Sequence, residues 1–253
     1  MSSITRSEIE RFIAAMRKDF PFPEKLPVGD YSYLNVCKIV NTCINPGAEI
    51  LDFGSGPCDK TVVLSKMGYK CYACDDLNDN WHKESNNRNL IMEFARINNV
   101  NFRLVQNSIP DFADGKFDMI MLHDVIEHLH ESPKNLLERL KSFLKPGGYF
   151  FITVPNAVNI RKRLAVLFGR TNLPPFDEYY SYQGIWRGHI REYVKDDLVK
   201  LCRNLGLEKV ELRGCDNMLE KVPRILHRPY LAFTNVFDGL KDSLLLLAKK
   251  TEY

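Results

Sequence analysis

Apolar residues recur at helical spacing near the start of the chain. Ile9, Phe12, Ile13 and Met16 form one stripe behind Ser7-Glu-Ile-Glu10, which has capping-box spacing, and Pro21 and Pro23 end the element. A second helix is predicted over Tyr33 to Cys43, stopped by Asn45-Pro-Gly47. The rhythm then alternates. Glu49-Ile-Leu-Asp-Phe53 reads as a strand running into the turn Gly54-Ser-Gly-Pro57; Lys60 to Met67 reads as a helix punctuated by Gly68, and Lys70 to Cys74 as the next strand. An Asn-rich helical stretch, Asn86 to Ile97, leads into the strand Asn101-Phe-Arg-Leu-Val105. Phe117-Asp-Met-Ile-Met-Leu122 is an apolar strand of the kind buried on both faces. Ser132-Pro133 starts a helix whose buried face is Leu136, Leu137, Leu140, Phe143 and Leu144, and Lys145-Pro-Gly-Gly148 turns the chain into the strand Tyr149 to Val154. Strand-helix alternation of this kind predicts an α/β doubly wound sheet, mostly parallel.

After Pro155 the rhythm breaks. Residues 157–191 hold a short basic helix, Ile160 to Phe168 followed by Gly169, and an aromatic, Pro-containing loop. Regularity returns with a helix over Lys195 to Leu205, a strand over Leu207 to Arg213 and the run Leu244-Leu-Leu-Leu-Ala248 as a last strand. Residues 157–191 and 215–240 are predicted insertions at the sheet end that carries the first turn. The 253 residues suit one domain: an N-terminal helical cover (1–46), a ligand-binding core (47–156), a lid or substrate insertion (157–191) and the C-terminal part of the core (192–253).

Composition narrows the class. A hydrophobic fraction of 45% with 26% charged residues excludes collagenous, disordered and coiled-coil chains. Lys+Arg 35 against Asp+Glu 32 leaves +3, which gives no global field to hold a nucleic-acid backbone. The seven cysteines are scattered through apolar segments and predict reduced thiols. Cys71 and Cys74 have C-x-x-C spacing, but on a strand that offset puts them on opposite faces, and no second pair follows; zinc is not expected there. The N-terminus has no signal-peptide pattern and no apolar run reaches ~18 residues, so a cytoplasmic location is expected.

In open α/β sheets ligands bind beyond the carboxyl ends of the strands, where Asp52-Phe-Gly-Ser-Gly-Pro-Cys58 falls. Gly54 and Gly56 let a ligand approach the backbone, and the next helix offers free N–H groups. Asp75 ends the second strand, where a carboxylate accepts hydrogen bonds from both ribose hydroxyls. A nicotinamide-binding turn would place its third glycine at position 59, where Asp59 stands and would repel a pyrophosphate. Asp52 suits a ligand with an ammonium or sulfonium group, as S-adenosyl-L-methionine has. A tight turn with two buried caps is the alternative reading.

At these residues the chain resembles the class I S-adenosylmethionine-dependent methyltransferases. Ile50-Leu-Asp-Phe-Gly-Ser-Gly56 looks like their first motif and Tyr72-Ala-Cys-Asp75 like their second-strand acid. Phe117-Asp-Met-Ile through Val125-Ile-Glu-His-Leu129, and Leu144-Lys-Pro-Gly-Gly148, resemble later motifs of the group that methylates small molecules; Asp242 to Lys250 is similar to the final antiparallel strand. The resemblance implies a Rossmann-like seven-stranded sheet with helices on both faces and a lid after the fifth strand. It implies S-adenosyl-L-methionine as cofactor, with Gly54, Ser55 and Gly56 at its methionine part, Asp52 on its ammonium side and Asp75 at its ribose. Asp76, Asn107, Ser108 and Ile109 join them as expected cofactor contacts. Two departures stand out. Cys58 occupies a position where many members have a third glycine, and Asn107-Ser108 replaces the acid that often contacts the adenine amino group.

Methyl transfer from a sulfonium is an in-line displacement in which the protein mainly aligns donor and acceptor. A hydroxyl acceptor gains from a positioned base. His123, ending the fourth strand, is expected at the wall beside the methyl group. Asp124, Glu127 and His128 fall at i, i+3 and i+4 of one helical face; the spacing admits a metal, but packing is the favoured reading and no metal is expected. Trp186-Arg-Gly-His189-Ile-Arg191-Glu-Tyr193 is similar to a stretch in methyltransferases of the glycan or secondary-metabolite type. His189 is the first candidate for the base, with a structural hydrogen bond as the alternative, and Arg191, Tyr193, Trp186 and Tyr180 are candidate acceptor contacts. Arg191 would hold an anionic group or pair with a carboxylate. The helix with Arg161, Lys162, Arg163 and Arg170 is either a lid with a solvated face or a peripheral contact with an anionic membrane through 160–170. The aromatic loop would stack on a sugar or flat ring, or pack as core. Together these predict O-methylation of a sugar, glycolipid or other small-molecule hydroxyl, and no nucleic-acid acceptor. The rivals are a non-catalytic cofactor-binding subunit of a glycan-assembly complex and a nicotinamide oxidoreductase.

Overall fold

Seven strands pair in one sheet: β1 (Glu49–Phe53), β2 (Lys70–Asp75), β3 (Asn101–Leu104), β4 (Phe117–His123), β5 (Leu144–Pro155), β6 (Leu207–Cys215) and β7 (Ser243–Lys250). The order is β3-β2-β1-β4-β5-β7-β6, with β7 antiparallel to both neighbours and the other pairs parallel. The computed structural model describes residues 4–105, 109–217 and 222–252, so Asn107 and Ser108 lie outside the described residues. The order reverses between β1 and β4. A crevice therefore opens beyond their carboxyl ends, where the first turn lies.

Helices cover both faces. α1 (Arg6–Asp19), α2 (Tyr31–Cys43), α3 (Asp59–Lys66), α4 (Asn80–Lys83) and α5 (Asn87–Ile97) precede β4; α6 (Lys134–Phe143) and α9 (Lys195–Leu205) follow it in the core. Ile13, Met16, Tyr33, Val62 and Phe94 form one buried apolar layer, and Leu137, Leu140, Leu198 and Cys202 belong to the other. Cys71 joins the first layer and Cys74 the second, as strand alternation requires. All seven cysteines are free thiols, and among the described residues no helix is long and apolar enough to cross a membrane.

Element boundaries shift where capping was misassigned. The capping box is made by Thr5 and Glu8: the Glu8 amide donates to the Thr5 hydroxyl at 3.4 Å and the Thr5 amide to the Glu8 carboxylate at 2.8 Å. Ser7 already lies inside the helix. The predicted turn Lys145-Pro-Gly-Gly148 is drawn into β5 as an irregularity, Gly147 taking φ +73° while the register slips between Phe117 and Met119. Three further helices fill the insertions: the expected α7 (Ile160–Leu167), and α8 (Phe176–Ser181) and α10 (His227–Val236), which the sequence pattern did not give.

Candidate active site

The first wall of the crevice is mostly backbone. The amides of Gly54 and Ser55 both donate to the Cys74 carbonyl, at 2.7 and 3.2 Å, tying the first turn to the end of β2. Gly54 takes φ +76°, and a Cβ there would stand 2.4 Å from a Val125 methyl. The turn can pass Val125 only as glycine. The Gly56 amide donates to Asp75 Oδ2 at 2.8 Å and the Leu77 amide to Oδ1 at 2.7 Å. Each oxygen keeps a lone pair for one further donor, which is what a pair of vicinal hydroxyls needs. Burial pushes the Asp75 carboxyl up, while these two amides oppose it. A cavity of about 420 Å³ opens here, lined by Gly54, Gly56, Asp75, Asp76, Val125 and His128 among others.

Asp52 and Cys58 support this wall from behind. Asp52 is buried and accepts from the Thr61 hydroxyl at 2.5 Å, so it ties β1 to α3 instead of lining the cavity. Burial raises its carboxyl to about 6, against the Thr61 hydrogen bond. Cys58 sits at φ +66°, the left-handed conformation that the family's usual glycine adopts freely, and its fully buried thiol lies 3.5 Å from Ser55 Oγ. Asp76 accepts two hydrogen bonds from Arg187, at 2.8 and 2.9 Å, and one from the Asn78 amide at 2.9 Å. Burial alone would raise Asp76, but the Arg187 bonds hold it below the usual carboxylate range. That bidentate pair ties Arg187 to the residue that follows β2, both of them in the cavity lining. Ile109 packs on the apolar layer around β4 and α6, away from the cavity lining.

The second wall is side chains. A neighbouring cavity of about 570 Å³ is lined by Asn159, Lys162, Pro174, Trp186, His189 and Glu192, among others, and Trp186 also lines the first. His189 Nδ1 hydrogen-bonds Glu192 Oε1 at 2.8 Å, and the other Glu192 oxygen pairs with Lys162. The His128 and His189 ring centroids are 5.0 Å apart. His128 Nδ1 meets the Arg187 carbonyl at 2.8 Å, His130 Nε2 meets the Trp186 carbonyl at 2.7 Å, and the Ile190 amide donates to the Glu127 carbonyl at 2.7 Å. Beneath them Glu127 is fully buried, and neither carboxyl oxygen has a hydrogen-bond partner among the described residues. Burial first, and then the charge of Asp124, push the Glu127 carboxyl up to about 9.

Several expected contacts fall elsewhere. Asp124, Glu127 and His128 do not share a helical face: only a 3-10 turn forms over Ile126–His128, and Asp124 takes φ +55° with Oδ1 3.5 Å from the Thr153 hydroxyl. His189 meets Glu127 and His128 instead. His123 is buried with Nδ1 3.1 Å from the Thr153 hydroxyl, and lines a smaller cavity of about 200 Å³ with Lys60 and Asp124, the last of which also lines the first cavity. Burial and then Lys60 hold it neutral, with a pKa down to about 3. Arg191 pairs with Asp197 at 3.6 Å, the carboxylate alternative. Tyr193 is buried, its hydroxyl donating to the Ile126 carbonyl at 3.3 Å, and Tyr180 stacks on Phe176 at 5.7 Å with most of its ring in solvent. Sequence reasoning gave no role to Arg187, which lies inside the quoted Trp186-to-Tyr193 stretch but whose partner Asp76 is 111 residues away.

A family model described as a methyltransferase domain matches residues 31–212, well over half of the chain. Ubiquinone biosynthesis O-methyltransferase of Xanthomonas euvesicatoria pv. vesicatoria is 23% identical over 227 residues, covering 84% of this chain and 85% of the relative. Among solved structures, a SAM-dependent methyltransferase from Aquifex aeolicus superposes with TM-score 0.54 at 18% identity, covering 97% of this chain and 98% of its own. Phosphoethanolamine N-methyltransferase 2 of Haemonchus contortus, in complex with S-adenosyl-L-methionine, superposes with TM-score 0.59 at 19% identity, covering 97% of this chain and 58% of that one. The glycine turn, the Asp75 carboxylate and the matched family model lead to one conclusion: the chain belongs to the methyltransferase-domain family, as a class I methyltransferase whose cofactor is S-adenosylmethionine.

Proposed function

We propose that the protein methylates a hydroxyl group of a sugar, a glycolipid or another small molecule. One observation carries this reading. His128 lines the first cavity, His189 lines the second, their rings are 5.0 Å apart, and Trp186 lines both. A donor in one cavity and an acceptor in the other would meet at this junction. Asp75 fits two ribose hydroxyls, the side-chain-free Gly54 and Gly56 of the first turn leave room for the methionine part, and Asp52 acts on it only through the position of α3. S-adenosylmethionine supplies an electrophilic methyl on a sulfonium. Glu192 orients His189 through Nδ1, which presents Nε2 as the atom to take the acceptor's proton. The name of the O-methyltransferase relatives supports oxygen as the methylated atom.

The lid supports a second feature of the acceptor. Leu167 and Phe168, at the end of α7, are each 75% exposed, while Arg161 and Lys162 of the same helix line the second cavity, so contact of this end with an anionic membrane surface, and an acceptor held there, fits the arrangement. The nicotinamide alternative fares worse: Asp59 stays at the helix start, its carboxylate accepting from Tyr33 at 2.5 Å. The test is release of S-adenosylhomocysteine with panels of sugars, phenols and glycolipids. Acceptor-dependent release is expected. Cofactor binding with no release across all panels would favour the non-catalytic subunit.

A further inference from the structure

We propose that Glu127, His128 and His189 form a site for one divalent transition-metal ion of the zinc class, at the junction of the two cavities. The site itself stands on geometry alone; the role given to the ion rests on the methyl-transfer reading. One ligand atom from each residue lies within 4.8 Å of the others, the one such trio among the described residues. Two independent features point to an ion.

The first is Glu127. It is fully buried, and both carboxyl oxygens lack a hydrogen-bond partner among the described residues. An ionised carboxylate in such a place needs a cation, and a neutral one needs an acceptor for its O–H. His128 Nε2 is 4.0 Å from Oε1. That separation is too long for a hydrogen bond, yet two ligands at ~2.0–2.2 Å from one ion stand ~3–4 Å apart.

The second feature is the tautomer of each histidine. The Arg187 carbonyl can only accept, so His128 carries its proton on Nδ1, and the neutral ring has its lone pair on Nε2. His189 Nδ1 faces the Glu192 carboxylate in the same way. Outer hydrogen bonds to a carbonyl and a carboxylate are what orient metal-ligating imidazoles. Two imidazoles and one carboxylate suit zinc or its analogues better than magnesium. The ligand set differs from the Asp124, Glu127, His128 spacing, because the chain after β4 does not form the helix that spacing needs.

Three protein ligands leave a position open toward the second cavity. An acceptor hydroxyl bound there gives its proton to water more readily. The oxygen lone pair then forms the O–CH₃ bond while the breaking C–S pair stays on sulfur. His189 acts in this scheme as a ligand, and the metal takes over the work of the base.

The experiment is calorimetric titration of EDTA-stripped, dialysed protein with ZnCl₂, alongside the visible spectrum of the Co²⁺-loaded form. The expected result is one ion per chain and a Co²⁺ spectrum of low coordination number. Glu127→Gln and His189→Ala should each weaken binding at least 10-fold to 100-fold. The His189 side chain is 28% exposed, so its variant tests the site even where the buried Glu127 variant does not fold. No stoichiometric ion, or unchanged affinity in His128→Ala and His189→Ala, would overturn the proposal. S-adenosylhomocysteine is titrated in parallel. Its binding without any ion would sink the metal site alone, whereas an ion without nucleoside binding would sink the methyl-transfer reading and leave the site standing.

Discussion

The two walls of the crevice are built from different materials. The wall proposed for the cofactor uses main-chain amides and the absence of side chains: the Gly56 and Leu77 amides hold the Asp75 carboxylate, and Gly54 passes Val125 with its amide on the Cys74 carbonyl. The facing wall uses side chains from two distant segments, Glu127-His128 and Arg187 to Glu192, held together by backbone carbonyls. Backbone positions are fixed once the sheet forms, so the first wall suits a ligand that does not change. A side-chain wall can be rebuilt by substitution without touching the sheet, so it suits the acceptor. Changes to the first wall should therefore cost binding or folding, and changes to the second should alter chemistry at nearly constant cofactor affinity, except at Arg187, which lines the first cavity as well.

The sharpest break comes from Asp75→Ala. Two charge-assisted hydrogen bonds to ribose are lost and the Gly56 and Leu77 amides lose their acceptor, about 3–6 kcal/mol together, so S-adenosylhomocysteine affinity should fall more than ~100-fold by calorimetry. Gly54→Ala should destabilise the fold by about 2–4 kcal/mol in urea titrations, from the left-handed φ and the overlap with Val125. Adding Val125→Ala should recover the steric part only.

Asp52 provides a pH test of the layer behind the cofactor wall. Its folded-state pKa is raised by burial to about 6, from an ordinary 3.8, so the native state holds a proton that the unfolded chain has released. Stability from this group is complete below about pH 4 and is lost as pH rises to about 6, a difference of ~2–3 kcal/mol above that window. Asp52→Asn should flatten that fall, read as the difference in urea midpoints between variant and wild type at pH 4.5, 6 and 7.5. An unchanged slope would mean that Asp52 is ionised throughout.

The smaller effects sharpen the comparison. The Asp76–Arg187 pair is about one-third exposed on both sides, so solvent discounts it to ~1 kcal/mol, and Arg187→Gln should raise the S-adenosylhomocysteine off-rate about threefold to fivefold in stopped flow. Cys58→Gly relieves the left-handed φ by ~1 kcal/mol and loses a buried thiol of similar worth, leaving thermal stability within ~1 kcal/mol of wild type.

The same division explains what was legible in the sequence. The cofactor wall is local: Asp52 to Cys58 and Asp75 are read from strand ends, glycines and a spacing of about twenty residues. Even there, Asp52 turned out to serve α3 through Thr61, because a strand residue's face depends on what packs behind it. The second wall depends on contacts between positions about sixty residues apart, such as His128 with His189, and on the pairing of Arg187 with Asp76. No periodicity encodes those meetings. His123, expected beside the methyl group, turns to Thr153 and lines the smaller cavity with Lys60, a direction set by the pleat of the strand. Tyr193, expected at the acceptor, is buried with its hydroxyl on the Ile126 carbonyl, and its backbone pairs with Asn156 and Ala157, about 36 positions back in the chain.

The most direct test is calorimetric titration of S-adenosylhomocysteine into wild type, Asp75→Ala and His189→Ala. Micromolar binding that disappears in Asp75→Ala and stays within about threefold in His189→Ala is the result expected of two walls with separate duties. Equal loss in both variants, or full binding in Asp75→Ala, would contradict the assignment of the cofactor to the backbone-built wall.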